Sequence, residues 1–225
     1  MGEDARKIDW KSTAKTGVPH VKLFFQEREV NVALCALMSG SLLFRRKKET
    51  LLEVCSLLGY EAVKLSNRLI PVVISDETVI MQPSKKIHSV KHFIHKLDNM
   101  TLYKKDVNLQ NLKLKQKSLV ILVGDFLGDY DLSFLASRHE VFVVIIRERF
   151  EEKPEILGDG EFTDPESGES REFYFGKSVK EAYAKKYKEN DYKLYKHLNR
   201  LKISYVKIIT DKDVYMQLLQ SKSNQ

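Results

Sequence analysis

The amino-acid sequence predicts an α/β sandwich with a mainly parallel central sheet and helices on both of its faces. Residues 30–38, 119–123 and 141–146 are continuously apolar, as strands are when helices cover both sides of a sheet. Stretches with one apolar helical face separate these runs along the chain. This alternation of strand and helix is typical of the α/β class.

The chain between the first two apolar strands carries two predicted helices and a hairpin. Residues 48–67 and 89–97 each place their apolar side chains on one helical face, so both helices are expected to pack on the sheet. Between them, residues 69–75 and 78–81 are rich in β-forming side chains and are separated only by two acidic residues. That spacing predicts a tight antiparallel hairpin at one edge of the sheet.

The second half of the chain continues the alternation. The pattern predicts a short helix, a long helix, a strand and a last helix, over residues 131–137, 178–201, 205–209 and 211–220. Asp211 is a candidate cap for the last helix, because an Asp side chain accepts hydrogen bonds from the first free backbone amides of a helix.

Residues 148–176 differ from their surroundings and predict an inserted β-hairpin. Two β-rich stretches, 161–163 and 171–175, flank a segment whose Asp, Pro, Ser and Gly residues are typical of a turn. We therefore expect one domain over residues 30–220, preceded by a separate N-terminal segment, 1–29, and followed by a frayed tail, 221–225.

Composition narrows the class of protein. No apolar run approaches the ~20 residues that a membrane-spanning helix needs, and the first residues lack the apolar stretch of a signal peptide. The two cysteines, Cys35 and Cys55, lie inside apolar stretches, which predicts buried free thiols in a reducing compartment. We therefore expect a cytoplasmic protein.

The positive charge is concentrated in the long helix. The formal net charge is +7, and between residues 177 and 202 nine lysines or arginines stand against three acidic residues. Tyr183, Tyr187, Tyr192 and Tyr195 alternate with these lysines, a combination that suits stacking and phosphate contacts with single-stranded nucleic acid. The competing interpretation is a helix that packs on the sheet and turns its lysines to solvent.

Polar side chains follow two of the apolar strands. Ser39 and Ser41 come after the first strand and Asp125 after the second, and Thr101 follows a predicted helix. Ligands of open parallel sheets bind beyond the carboxyl ends of the strands. Hydroxyl and carboxylate oxygens are ligands of Mg²⁺ and Mn²⁺, so these four residues form a candidate metal or docking site. The alternative is that the two serines only cap the turn.

These residues resemble the metal-ion-dependent adhesion site of von Willebrand factor A (vWA) domains, which begins Asp-x-Ser-x-Ser. In this chain Leu37 stands at the Asp position, so the site is a degenerate version with Asp125 as its carboxylate. Loss of one anionic ligand predicts at most weak binding of Mg²⁺ or Mn²⁺ by the isolated chain. The resemblance implies a vWA-like, Rossmann-like fold.

The N-terminal segment carries a more specific resemblance. Asp4, Arg6, Ile8, Asp9 and Trp10 are similar to the Asp-x-Arg-x-Ile-Asp-Trp pattern of the domain-of-unknown-function-58 family, a bacterial group of vWA-like proteins. The resemblance implies a non-catalytic adaptor that works with MoxR-type AAA+ ATPases in the maturation or assembly of other proteins.

Six residues are candidates for partner binding: Arg6, Asp9, Trp10, Ser39, Ser41 and Asp125. Trp and Arg are over-represented at interface hot spots, which favours this role for the N-terminal group. The alternative for that group is local, with Trp10 anchoring the segment to the sheet while Arg6 and Asp9 pair with each other.

Two other classes of function stay open. A nucleic-acid-binding module would use the basic helix over residues 178–202, and a metal-dependent hydrolase would require tight Mn²⁺ binding at Asp125. The sequence has no Gly-x-Ser-x-Gly elbow and no Gly-rich phosphate loop ending in Lys-Ser or Lys-Thr. We therefore do not expect an enzyme. We favour a protein as the partner over nucleic acid.

Overall fold

The computed structural model describes residues 29–102, 107–155, 158–163 and 170–221. Arg6, Asp9 and Trp10 lie outside these residues, and so do the predicted turn at 164–168 and residues 222–225 of the tail.

The described part of the chain contains eight strands: β1 Asn31–Leu37, β2 Arg68–Ile74, β3 Thr78–Ile80, β4 Leu119–Gly124, β5 Glu140–Arg147, β6 Gly158–Thr163, β7 Ser170–Phe175 and β8 Ser204–Ile209. Six of them form one sheet in the order β3-β2-β1-β4-β5-β8. Every neighbouring pair in this sheet is parallel except β2 and β3. Strands β6 and β7 pair with each other in a separate antiparallel hairpin.

Within the described residues, six α-helices cover or border the sheet: α1 Lys47–Lys64, α2 Ile87–Asp98, α3 Ser133–Arg138, α4 Arg149–Glu152, α5 Lys177–Arg200 and α6 Val214–Ser221. Apolar residues of α1, α2 and α6 pack on one face of the sheet, and those of α3 and α5 pack on the other. The predicted α/β class, with its parallel sheet, edge hairpin and second hairpin, is confirmed. None of the described helices combines the length and the apolarity needed to cross a membrane.

Strand β1 shows why its sequence is apolar without interruption. Leu34 and Ala36 belong to the core under α1, whereas Cys35 and Leu37 belong to the core under α5. Both faces of the strand are thus removed from water, as expected in a parallel sheet covered on two sides. Cys35 and Cys55 are free and fully buried, and burial raises the pKa of both thiols, so they are core side chains rather than nucleophiles.

The predicted cap of the last helix was wrong. Helix α6 begins at Val214, and Asp213 Oδ1 accepts the backbone N–H of Met216 at 2.8 Å, which is the geometry of an N-cap. Asp211 lies in the turn before the helix and pairs instead with Arg149, with Nη1 3.1 Å from Oδ2.

We expect Asp213→Ala to lower the free energy of unfolding by about 1 kcal/mol, because the first turn of α6 loses its cap. Asp211→Ala is the matched control and is expected to cost less than about 0.5 kcal/mol, since its ion pair is open to water. Urea unfolding of both variants measures the difference. Equal losses would show that Asp213 is not the cap.

Candidate functional site

The order of the strands reverses between β1 and β4, and the predicted polar residues gather at this point. Ala36 and Val123 are register partners near the carboxyl ends of the two strands, so the loops that follow leave the sheet side by side. Ser39 and Ser41 occupy the loop after β1, with their Oγ atoms 2.7 Å apart. Asp125 is the first residue after β4 and is 2% exposed.

A buried lysine supplies the cation of this site. Lys47 Nζ donates to Asp125 Oδ2 at 3.0 Å and to Glu151 Oε1 at 2.8 Å. The side chains of all three residues are at most 3% exposed. Because a buried charge is tolerated only when it is paired, the three groups form one unit that is shielded from water.

Glu151 is held in place by further donors. Its Oε1 accepts the hydroxyl of Tyr187 at 3.1 Å, and its Oε2 accepts the backbone N–H of Glu148 at 2.9 Å. Glu148 and Glu151 form a capping box that closes the single turn of α4. Burial and then the Glu151 carboxylate raise the pKa of Tyr187, which keeps the phenol protonated as a hydrogen-bond donor.

Arg147, the last residue of β5, connects this unit to α5. Its Nη1 donates to the backbone carbonyl of Asp125, and its Nη2 donates to Asp191 Oδ1 at 2.5 Å. The other carboxylate oxygen of Asp191 accepts Lys207 Nζ at 3.1 Å and the Tyr195 hydroxyl at 3.3 Å. The network therefore ties the ends of β4 and β5 to α5 and β8.

The charges of this network also shift the pKa values of Arg147 and Asp191. Burial opposes the charge on Arg147, but Asp191 more than offsets it, and the pKa of the guanidinium rises. Burial also acts to raise the pKa of Asp191, but Arg147 and Lys207 hold it below its usual value. Asp191 is therefore a charged carboxylate at neutral pH.

Part of the free energy of unfolding depends on the ionised Asp191 and is lost in acid. The pKa of Asp191 is lower in the folded state than in the unfolded state, so its contribution is complete above about pH 4 and is lost as the pH falls through the folded value. We expect the urea midpoint of the wild type to decline below about pH 4 more steeply than that of Asp191→Asn. Parallel declines in the two proteins would show that Asp191 does not titrate with folding.

The ends of β1 and β4 approach each other closely. A Cβ atom at Gly124 would lie 2.7 Å from Leu37 Cβ, so only glycine lets the two strand ends approach this closely. Phe126, two residues on, has a positive φ of 50°, and its carbonyl accepts Asn190 Nδ2 at 3.0 Å. Leu37 is 2% exposed and packs in the apolar cluster under α5.

Thr101 is exposed and lies in the loop after α2. Lys48 Nζ, at the start of α1, donates to the carbonyls of Asp98 at 2.6 Å and Met100 at 3.4 Å. The loop that carries Thr101 is therefore fixed beside the beginning of α1. Thr101 itself takes no part in the buried ion-pair network.

The described residues do not fit a divalent cation. Asp125 already directs a carboxylate oxygen at the Lys47 ammonium. A divalent cation bound to the same carboxylate would lie close to this ammonium, and the two positive charges would repel each other strongly in a buried site. Within the described ranges, no three His, Cys, Asp or Glu side chains are grouped so that they could hold a metal ion. Weak binding of Mg²⁺ or Mn²⁺ stays a prediction, with the Lys47 ammonium as its competitor.

The tyrosines of the basic helix point mostly toward the protein. Tyr183 and Tyr187 have ring centroids 4.6 Å apart and join the aromatic cluster around α4. Tyr195 stacks on Tyr205 with ring centroids 4.9 Å apart. Tyr192 is 68% exposed. Six of the seven lysines of this helix are exposed and Lys180 is half-buried, but most of the aromatic side chains needed for base stacking pack against the interior.

The sequence-based prediction did not include the charged residues that build the network, among them Lys47, Arg147, Glu151, Asp191 and Lys207. One signal was available, since Lys47 precedes Leu51 and Val54 at helical spacing and so belongs to the apolar face of α1. Asp191 stands in the same relation to Leu194 and Leu198 on α5. A charged residue on an apolar helical face predicts a buried partner.

Comparison with known proteins gives the family and the fold. A family model described as "Protein of unknown function DUF58" matches residues 1–193. Uncharacterized proteins of Mycobacterium tuberculosis (strain ATCC 25618 / H37Rv) and Mycobacterium bovis are each 25% identical over 202 residues, a match that covers 82% of this chain. The chain spans 63% of the length of these curated relatives.

Two solved structures share the fold at 13% sequence identity. The conserved hypothetical protein BatB of Bacteroides thetaiotaomicron has a TM-score of 0.52, with 86% of this chain and 96% of that chain covered. An aerotolerance-related membrane protein of Bacteroides fragilis NCTC 9343 has a TM-score of 0.50, with 87% and 100% covered. With the family model matching most of its length, the chain belongs to the DUF58 family of proteins of unknown function.

Proposed function

We propose that this chain is a non-catalytic adaptor of the vWA type that docks a protein partner at the carboxyl ends of β1 and β4. The observation that carries the proposal is the burial of the charged groups there. Lys47, Asp125, Arg147 and Glu151 are each at most 3% exposed. Lys47 is ion-paired with Asp125 and Glu151, and Arg147 is ion-paired with Asp191. A general acid, base or nucleophile must contact its substrate. These groups are buried and paired, and they hold the loops in place instead.

Exposed residues of the loops beside this site supply the docking surface. We define the loop face as Ser41, Leu43, Arg45 and Thr101, which are partly or fully exposed. The Arg45 guanidinium lies 4.9 Å from the centroid of the Phe150 ring and 3.8 Å from Glu148 Oε1. A surface side chain that is already positioned loses little conformational entropy when a partner binds, and Arg is frequent at interface hot spots.

The partner class in this proposal is a MoxR-type AAA+ ATPase, and the activity is help in the maturation or assembly of other proteins. Membership of the DUF58 family supports it, through the resemblance of this family to vWA-like adaptors. Arg6, Asp9 and Trp10 would extend the contact surface from the N-terminal segment. Because such an ATPase needs ATP, the proposal places the chain in the cytoplasm.

A pull-down of the tagged chain from its native cells tests the proposal. We expect an AAA+ ATPase to be retained after nuclease treatment, and to be lost when Leu43→Glu and Arg45→Glu are combined on the loop face. The matched control reverses two charges elsewhere, with Lys185→Glu and Lys188→Glu on the exposed side of α5.

The outcomes separate the two classes of partner. Nucleic acid as the main retained species, released by the α5 variant and by salt, would contradict the adaptor proposal and favour the basic helix. An ATPase that the α5 variant releases and the loop-face variant retains would contradict the assignment of the loop face.

A further inference from the structure

We propose that the Lys47 ammonium takes the place of a divalent metal ion in this site, so that the site works without metal. The cation is part of the chain and lies where the strand order reverses, next to the carboxylate of Asp125 and one loop away from the paired hydroxyls of Ser39 and Ser41. This inference concerns the isolated chain and does not depend on the identity of its partner.

The position of Lys47 in α1 is unfavourable unless the ammonium has a specific role. Lys47 is the first residue of the helix, where the helix dipole is positive and a cation is destabilised. It is also 0% exposed, so the charge has no water around it. Asp125 and Glu151 compensate for both effects, since each places a carboxylate oxygen within 3.0 Å of Nζ.

The charges of the network are already nearly balanced. Its three cations, Lys47, Arg147 and Lys207, form ion pairs with four anions, Asp125, Glu151, Asp191 and Glu152. A divalent ion added to this set would leave one uncompensated positive charge in a largely buried site. Removal of the Lys47 ammonium has the opposite effect, because the buried carboxylates of Asp125 and Glu151 then lack their cation.

The experiment is a measurement of Mn²⁺ binding and thermal stability on the isolated full chain. We expect the melting temperature of the wild type to be the same with chelator, millimolar Mg²⁺ or millimolar Mn²⁺. We expect Lys47→Ala to melt earlier, to be stabilised by Mn²⁺, and to bind Mn²⁺ at least about tenfold more tightly than the wild type. Adding Asp125→Asn to that variant is expected to abolish the gain.

Lys64→Ala is the matched control, since Lys64 lies on the same helix with its side chain 60% exposed. It is expected to leave both the melting temperature and Mn²⁺ binding unchanged. A Lys47→Ala chain that folds but is not stabilised by Mn²⁺ would overturn the proposal, because the site would then be an ordinary ion-pair network.

A second comparison does not require Lys47→Ala to fold. Electron paramagnetic resonance of bound Mn²⁺ compares the wild type with Asp125→Asn. We expect the wild type and Asp125→Asn to give the same Mn²⁺ spectrum and the same Mn²⁺ affinity. The reason is that in the wild type Lys47 already occupies the carboxylate of Asp125, so this carboxylate does not bind the metal. Mn²⁺ binding that the wild type shows and Asp125→Asn loses would overturn the proposal.

Discussion

Asp191→Leu is expected to lower the free energy of unfolding by about 3–5 kcal/mol, and Arg147→Met by about half as much. The asymmetry follows from which charge is left behind. Without Asp191, the guanidinium of Arg147 stays 1% exposed and loses its ion pair. Without Arg147, Asp191 is 14% exposed and keeps Lys207 Nζ at 3.1 Å and the Tyr195 hydroxyl at 3.3 Å.

The double variant Asp191→Leu/Arg147→Met is expected to recover most of the loss caused by Asp191→Leu alone. An apolar pair can replace a buried ion pair at little cost, whereas one stranded charge cannot be tolerated. Glu189→Leu, on the exposed side of the same helix, is the matched control and is expected to change stability by less than about 0.5 kcal/mol. Urea unfolding gives all four values, and strictly additive losses would show that the two residues are not coupled.

The fold could be predicted because each element carries its own local signal. The buried strands are apolar on both faces, and the edge hairpin is marked by Asp76 and Glu77 between two β-rich runs. The bounds were less accurate. Helix α1 was predicted to reach residue 67 but ends at Lys64, because the chain turns at Ser66, which has a positive φ of 59°.

The polar centre of the site was predicted only in part. Ser39, Ser41 and Asp125 follow strands directly, so a rule about strand ends is enough to find them. Glu151 lies 104 residues from Lys47, on a single helical turn inside a segment predicted to be an inserted hairpin. No local sequence pattern connects Lys47 with Glu151. They meet only in the folded chain, because β5 ends at the same edge of the sheet and is followed directly by α4, which carries Glu151.

Leu37→Asp recreates the first residue of the adhesion-site pattern, yet we expect it to destabilise the chain by at least about 4 kcal/mol near neutral pH. Leu37 is 2% exposed and packs in the same apolar cluster as Cys35 and Phe126. A carboxylate there loses its water and gains no donor from that cluster. Circular dichroism melts of the purified variant, with and without Mn²⁺, measure the loss and are expected to show no stabilisation by the metal.

Leu37→Asn separates the effect of the charge from that of size and polarity. Burial raises the pKa of the new carboxyl above its unfolded value of about 3.9, so Leu37→Asp is most stable at low pH and loses stability as the pH rises through the folded pKa. Near neutral pH we expect it to be about 3 kcal/mol less stable than Leu37→Asn, which corresponds to a pKa raised by about two units. Equal stability of the two variants at all pH values would mean that the carboxylate had reached a cation. Lys47 would then pair with a third carboxylate in addition to those of Asp125 and Glu151. Apolar packing would in that case not be the reason for a leucine at position 37.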